Sequence, residues 1–236
     1  MPNIAFVNGK WSSLSTAKVS VEDRGFQFGD GIYELIRTYR GELFHIDSHL
    51  ARLGASAKEI EITLPYTAAQ LERIIRLGCR KSGFADVKIY IQVTRGAAPR
   101  LHSFPQKTKP TVVMTFREFE PLPSKLHEEG VAVISTPDIR WARCNVKSLN
   151  LLPNVLGREQ ALRAGAFEAI FIRDGKVTEG AGSNLFAVIG KKDRHPAGGA
   201  LHPLRDYPGG GHPNWEGARS GDGRERAEAL AALRGG

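Results

Sequence analysis

The sequence predicts a mixed α/β (α+β) protein built as two small lobes. Three observations carry this. Segments of strand period and of helix period alternate from residue 4 to residue 189. The run Glu120-Pro121-Leu122-Pro123 sets two prolines where neither a strand nor a helix continues, and so reads as a linker. Composition then breaks abruptly after Ile189-Gly190, in the middle of an apparent strand.

The elements follow in order. Ile4–Val7 leads into an Asn8-Gly9 turn and Lys10-Trp11, a hairpin signature. Gly31–Tyr39 and residues 42–45 read as a second hairpin about Arg40-Gly41. Asp47 or Ser48 caps a helix that places Leu50, Leu53, Ala57 and Ile60 on one face. Thr67 caps the next, which carries Leu71, Ile74, Ile75 and Cys79 and has Gly83 just past its end. Val87, Ile89, Ile91 and Val93 alternate with Lys88, Tyr90, Gln92 and Thr94, the pattern of a half-buried strand. Residues 111–119 form another. Beyond the prolines come a strand at 131–135 and a helix around 154–163 ending at Gly165. A hairpin joins 169–173 to 176–178 about Asp174-Gly175, and 184–189 is the last strand. No internal repeat is present.

The final 46 residues, 191–236, contain no Val, Ile or Phe but 10 of the 26 glycines and 14 charged residues. Such a composition buries too little apolar surface to offset chain entropy, so most of this tail is expected to be disordered, with a short helix at 224–233. No stretch has the apolar length of a membrane helix, and the first 20 residues lack the apolar core of a secretory leader. Cys79 and Cys144 are the only cysteines and are not in metal-ligand spacing. A cytoplasmic protein without membrane or metal partner is therefore expected. The 33 Lys and Arg against 25 Asp and Glu give +8, but the charge is scattered and no basic run interleaves with aromatics. Nucleic acid is not the expected partner; a basic surface equally suits a small anionic substrate.

Phosphate-loop, dinucleotide, zinc-protease and nucleophile-elbow signatures are all missing. Three local features remain. The run from Asp23 to Gly31 packs three glycines and two phenylalanines before a strand, a structured loop with tight turns. In Arg95-Gly96-Ala97-Ala98-Pro99-Arg100-Leu101-His102, an extended loop points Arg100 and His102 the same way. That suits a carboxylate, and equally a solvated basic loop. Lys147, between Val146 and Leu149-Asn150-Leu151-Leu152, is one of twelve lysines. Desolvation there lowers an amine's pKa as a nucleophile requires, whereas snorkelling to solvent is the ordinary fate of such a side chain.

Together these pieces resemble the class IV (fold type IV) aminotransferases, in particular their D-amino acid branch. The matching segments are Asp23-Arg24-Gly25-Phe26-Gln27-Phe28-Gly29-Asp30-Gly31-Ile32-Tyr33-Glu34, His49-Leu50-Ala51-Arg52-Leu53 and Arg100-Leu101-His102. They continue through Asp138-Ile139-Arg140-Trp141, Val146-Lys147-Ser148-Leu149-Asn150-Leu151-Leu152, Val177-Thr178-Glu179-Gly180 and Ser183-Asn184. The resemblance implies a two-lobe fold, pyridoxal 5′-phosphate as cofactor, and a homodimer acting on amino acids and 2-oxo acids. It makes Lys147 the Schiff-base lysine and proton carrier, Glu179 the partner of the pyridine nitrogen, and Arg52 the phosphate ligand. Tyr33, Arg100 and His102 become the trap for the substrate carboxylate, the Arg/His loop coming from the neighbouring subunit.

The implied reaction is D-alanine + 2-oxoglutarate ⇌ pyruvate + D-glutamate. Arg100, His102 and the following Phe104-Pro105 favour it over the branched-chain aminotransferases and the aminodeoxychorismate lyases, which share the lysine, glutamate and phosphate arginine. Two departures stand out. Ala181 and Gly182 replace serines of the D-amino acid enzymes, and the resemblance ends near residue 190 without the phosphate-binding helix end that follows in the family. The expected organisation is thus an N-terminal lobe at 1–120, a truncated cofactor lobe at 121–190 and an aberrant tail at 191–236. A shifted reading frame accounts for the tail, because the codons of Tyr207 to Asn214, read one nucleotide forward, permit Ile-Leu-Glu-Gly-Val-Thr-Arg. On that expectation the alternative to an enzyme is an inactive remnant of one.

Overall fold

The computed structural model of the chain describes residues 3–189 and 192–194. The expected helix at 224–233 and the frame-shifted motif at 207–214 lie outside the described residues. Two compact units result, one of Met1–Leu122 with Asn145–Asn150, the other of Pro123–Cys144 with Leu151–Gly236. The division falls between the linker prolines, but the segment holding Lys147 belongs to the first unit rather than to the lobe that follows the linker.

The first unit is an antiparallel six-stranded sheet with two helices against it. Its strands are β1 (Ile4–Val7), β2 (Lys10–Ser13), β3 (Gly31–Tyr39), β4 (Glu42–Leu43), β5 (Val87–Thr94) and β6 (Thr111–Glu118), in the order β2-β1-β6-β5-β3-β4. The β1–β2 and β3–β4 turns each put both central residues at positive φ, +47° and +91° at Asn8-Gly9 and +53° and +81° at Arg40-Gly41. That is the turn whose twist matches a hairpin. On β5, alternate residues Val87, Ile89, Ile91 and Val93 are buried, and opposite them in register β3 buries Ile32 and Ile36. Glu34 lies on the same face of β3 and is fully buried.

Helix α1 (Arg24–Phe28), absent from the expected elements, sits inside the glycine-rich loop, where Asp23 Oδ1 accepts the Gly25 N–H at 2.8 Å as its cap. Helix α2 (Ile46–Glu59) starts before either expected cap, Asp47 or Ser48. His45 precedes it in the left-handed region at φ +47° and supplies no side-chain cap. Helix α3 (Ala68–Ser82) has the full capping box, Thr67 with Gln70, and ends on left-handed Gly83. The two helices bury Leu50, Leu53, Ala57, Leu71 and Ile75 against the sheet.

In the second unit, α4 (Ser124–Glu129) precedes β7 (Val133–Pro137), and α5 (Leu152–Arg163) follows. Strands β8 (Glu168–Arg173) and β9 (Lys176–Gly180) complete a three-stranded sheet in which β7–β8 is parallel and β8–β9 antiparallel. Helix α5 packs on this sheet over Ala161, Ala166, Ala169, Phe171 and Ala181. Last comes a hairpin of β10 (Ala187–Ile189) and β11 (Lys192–Arg194). Backbone pairing therefore continues past the composition break as far as Arg194. Among the described residues, no helix is long and apolar enough to cross a membrane.

Candidate active site

The free edge at the start of β3 is where the lysine segment attaches. Tyr33 N–H donates to the Lys147 carbonyl at 3.0 Å and Leu149 N–H to the Gly31 carbonyl at 3.0 Å, with Ile32 and Ser148 bridged between them. The approach requires a glycine: a Cβ on Gly31 meets Leu149 Cδ1 at 2.8 Å and the Val93 carbonyl oxygen at 2.7 Å. On the other side, Lys147 N–H donates to Ser56 Oγ of α2 at 3.2 Å. Backbone contacts alone thus fix the lysine, and its side chain is free to serve chemistry.

Lys147 Nζ donates to the Tyr33 hydroxyl at 3.3 Å and lies 4.4 Å from that ring's centre. Burial pushes the amine down to about 8; the Arg52 charge adds to this effect and the Glu34 charge opposes it. Burial, reinforced by Glu34, raises Tyr33, so it remains a neutral phenol and a hydrogen-bond donor. Tyr33 stacks on Tyr90 at 5.7 Å, and the Tyr90 hydroxyl donates to Gln92 Oε1 at 2.9 Å, which stiffens this face of the sheet. Because the folded lysine loses its proton near 8 and the unfolded one near 10.5, stability rises with pH across that interval. The pH dependence of acylation at Lys147, followed by peptide mass spectrometry, is expected to show a midpoint near 8. A midpoint at the ordinary lysine value contradicts this environment.

Arg52 is held by a residue to which the sequence reading gave no role. Its Nε donates to Glu34 Oε1 at 2.5 Å and its Nη2 to Glu34 Oε2 at 2.8 Å, while His49 Nδ1 lies 2.8 Å from Oε2. Burial alone opposes ionisation of Glu34, but hydrogen bonds from Arg52 and His49 prevail and keep its carboxyl below the usual range. Glu34 stands in the motif Tyr33-Glu34 on an otherwise apolar face of β3. A charged residue at a core position of a strand was the available signal.

Arg100 and His102 are exposed, and both meet Phe28. The guanidinium of Arg100 lies 4.7 Å from the centre of that ring and the His102 ring 5.4 Å from it. Arg24 Nη1 donates to the Leu101 carbonyl at 2.5 Å, and Arg24 and Arg95 both grip Asp30. Among the described residues neither Arg100 nor His102 hydrogen-bonds to Tyr33 or Lys147, whereas Tyr33 meets Lys147 and Glu34 meets Arg52.

Glu179 belongs to the second unit, on β9. There it is ion-paired with Arg140. Arg140 is also gripped by Asp138, with Nε on Oδ1 at 2.8 Å and Nη2 on Oδ2 at 2.7 Å. Asp138 and Arg140 were quoted in the sequence as a motif without a function, and the cluster they form is visible only in the fold. In place of the serine-bearing turn, Ala181 and Gly182 follow Gly180, and Glu168 Oε2 accepts from Gly182 N–H at 3.1 Å and Ser183 Oγ at 3.0 Å.

Comparison with known proteins fits this arrangement. Residues 31–200 match the family described as amino-transferase class IV, past residue 190, where the resemblance was expected to end. A D-alanine aminotransferase of Staphylococcus epidermidis is 49% identical over 183 residues, covering 78% of this chain and 65% of the relative. One of Staphylococcus haemolyticus is 45% identical over 204 residues, or 86% of this chain and 70% of the relative. The chain thus spans slightly less than two thirds of the first relative's length. A T.th. branched-chain amino acid aminotransferase, solved with N-(5′-phosphopyridoxyl)-L-glutamate, superposes with a TM-score of 0.71 at 25% identity over 82% of this chain and 66% of that one. The chain belongs to the class IV aminotransferases.

Proposed function

We propose that the protein is a pyridoxal 5′-phosphate-dependent aminotransferase of D-amino acids, exchanging D-alanine and 2-oxoglutarate for pyruvate and D-glutamate. The observation that carries this reading is the buried Lys147 amine, lowered to about 8 beside the Tyr33 hydroxyl. The D-alanine aminotransferases among its relatives support the choice of substrate.

The donor set suits the cofactor: an amine that gives up its proton near pH 8 rather than near 10.5, a guanidinium for a phosphate, and a carboxylate for a ring nitrogen. When bound, pyridoxal phosphate supplies an aldehyde that condenses with amines and a protonated pyridine ring that accepts the electron pair released at the substrate Cα. Lys147 would be the amine that holds that aldehyde and, as a neutral base, the group that would move the proton at the substrate Cα. Arg52, pre-oriented by Glu34, binds the phosphate. Glu179 would supply the carboxylate for the ring nitrogen. Tyr33 would donate a hydrogen bond from its neutral hydroxyl to the substrate carboxylate, and Arg100 with His102 would complete that trap from a second copy of the chain.

The dimer is supported by the exposed apolar side chains around the trap loop, Phe26, Leu101 and Phe104. Free thiols at Cys79 and Cys144 suit a reducing, cytoplasmic setting. Pyruvate formation from D-alanine and 2-oxoglutarate, with pyridoxal phosphate added to the full chain, tests the assignment. Turnover of D-alanine and not of L-alanine is expected. Preference for L-leucine or L-valine points to a branched-chain enzyme, and no turnover of any amino acid contradicts both.

A further inference from the structure

The cluster around Glu179 is built more elaborately than a single carboxylate needs. It originates in a β-bulge. Ile170 pairs with Gly180 and Ile172 with Val177, so Thr178 and Glu179 together stand opposite Phe171. Thr178 Oγ1 lies 3.0 Å from Asp138 Oδ2, while Glu179 pairs with Arg140. A regular strand sends two consecutive side chains to opposite faces; the extra residue brings both to one cluster.

Asp138, at the end of β7, is the hub. Its side chain is fully buried, accepts from Arg140 Nε and Nη2 and from the Arg140 backbone N–H at 3.1 Å, and is ion-paired with Arg173 Nη2 at 3.0 Å. Arg173 Nη2 also donates to the Arg140 carbonyl at 3.0 Å. The Arg140 guanidinium is 5.1 Å from the centre of the Phe171 ring, and Cys144 is the other titratable group that bears on it. Among the described residues, the cluster brings together the carboxylates of Asp138 and Glu179 and the guanidiniums of Arg140 and Arg173. Arg140 touches both carboxylates. Left without Asp138, its charge still acts on Glu179.

That is the wrong arrangement for a carboxylate meant to hold a ring nitrogen protonated, because a neighbouring cation weakens its pull on a proton. We propose that Asp138 is a positioning residue for this site: by neutralising Arg140, it leaves the negative charge of Glu179 to keep the cofactor's ring nitrogen protonated, while Arg140 fixes the carboxylate in place. The proposal rests on the reading of Glu179 given above. Burial disfavours the charge on Asp138, yet the Arg140 hydrogen bonds hold its carboxyl at about 2, so the hub is ionised wherever the enzyme works.

The test is the nitrogen-15 chemical shift of ring-labelled pyridoxal phosphate bound to the full chain, followed against pH. The unsubstituted chain is expected to hold the nitrogen protonated at neutral pH, and E179Q to lose that proton. D138N should lower the midpoint by about one unit, a tenfold change in the protonated-to-neutral ratio. D138N/R140Q, which restores the charge balance, should move it back towards the original value. Loss of fold or packing alone predicts the reverse, with the double variant no better than the single one; that result overturns the proposal. If E179Q shifts the midpoint and D138N does not, Asp138 has no such role while the reading of Glu179 stands. If E179Q changes nothing, or the full chain binds no cofactor, the reading falls and takes the proposal with it. R173Q is an independent variant that leaves Asp138 in place. Removing this cation should raise the midpoint, and an unchanged or lowered midpoint contradicts the charge account.

Discussion

Replacing Lys147 with alanine is expected to lower D-alanine transamination by about 10⁴-fold, the upper range for loss of a positioned acid–base group. The fold should survive. The backbone of residue 147 makes the two contacts that seat the segment, its carbonyl to Tyr33 N–H and its N–H to Ser56 Oγ, and alanine retains both. Removing a buried amine also relieves the desolvation that drives its pKa down. Lys147→Arg should be equally inactive, since a guanidinium does not deprotonate near neutral pH. Initial rates of pyruvate formation with far-ultraviolet circular dichroism as the folding control check this. A K147A rate within about tenfold of the unsubstituted chain contradicts the role.

Glu34→Ala carries the largest expected cost in stability, about 3–5 kcal/mol, the range for breaking a buried ion pair by removing one partner. Glu34 has no exposed surface, and Arg52, with 16% of its side chain exposed, is left without its bidentate carboxylate. Against a typical domain stability of about 5–15 kcal/mol, this is a large fraction. The sign of the pH dependence follows. Since the folded Glu34 pKa lies below the ordinary 4.5, its contribution is present above that value and fades as pH falls through the lower folded pKa. Urea unfolding of E34A and of the isosteric E34Q at neutral pH checks the magnitude; a loss under about 1 kcal/mol in E34A contradicts the buried-pair account. A second readout ties the change to the site. Glu34 raises the Lys147 pKa and Arg52 lowers it, so removing the glutamate charge should take the Lys147 midpoint below about 8.

Where local chemistry decides structure, the sequence was readable. The alternation on β5, the Thr67 capping box and the paired positive-φ turns at Asn8-Gly9 and Arg40-Gly41 are set by residues within a few positions of one another. The start of α2 was not, because a histidine in the left-handed region takes the cap position that Asp47 or Ser48 was expected to fill. Helix α1 was hidden for a related reason: Arg24–Phe28 is five residues inside a glycine-rich run, too short to show a period.

The site divides in the same way. Lys147 in an apolar run signals burial, but its partners Ser56 and Tyr33 are 91 and 114 positions away, and no local pattern assigns 145–150 to the unit that precedes the linker. Glu34 and Asp138 were quoted within motifs, yet their ion pairs are set by tertiary structure, with Arg52 and His49 in one case and Arg140 and Arg173 in the other. The bulge that aligns Thr178 with Glu179 depends on the pairing of β8 and β9, which composition does not show.

Lys147, one of twelve lysines, is the amine expected to take the cofactor. The full chain is incubated with pyridoxal phosphate, reduced with borohydride, and mapped by peptide mass spectrometry. The expected result is a phosphopyridoxyl group on the peptide containing Lys147 and on no other in substoichiometric labelling. Modification spread over exposed lysines, or none at Lys147, contradicts it.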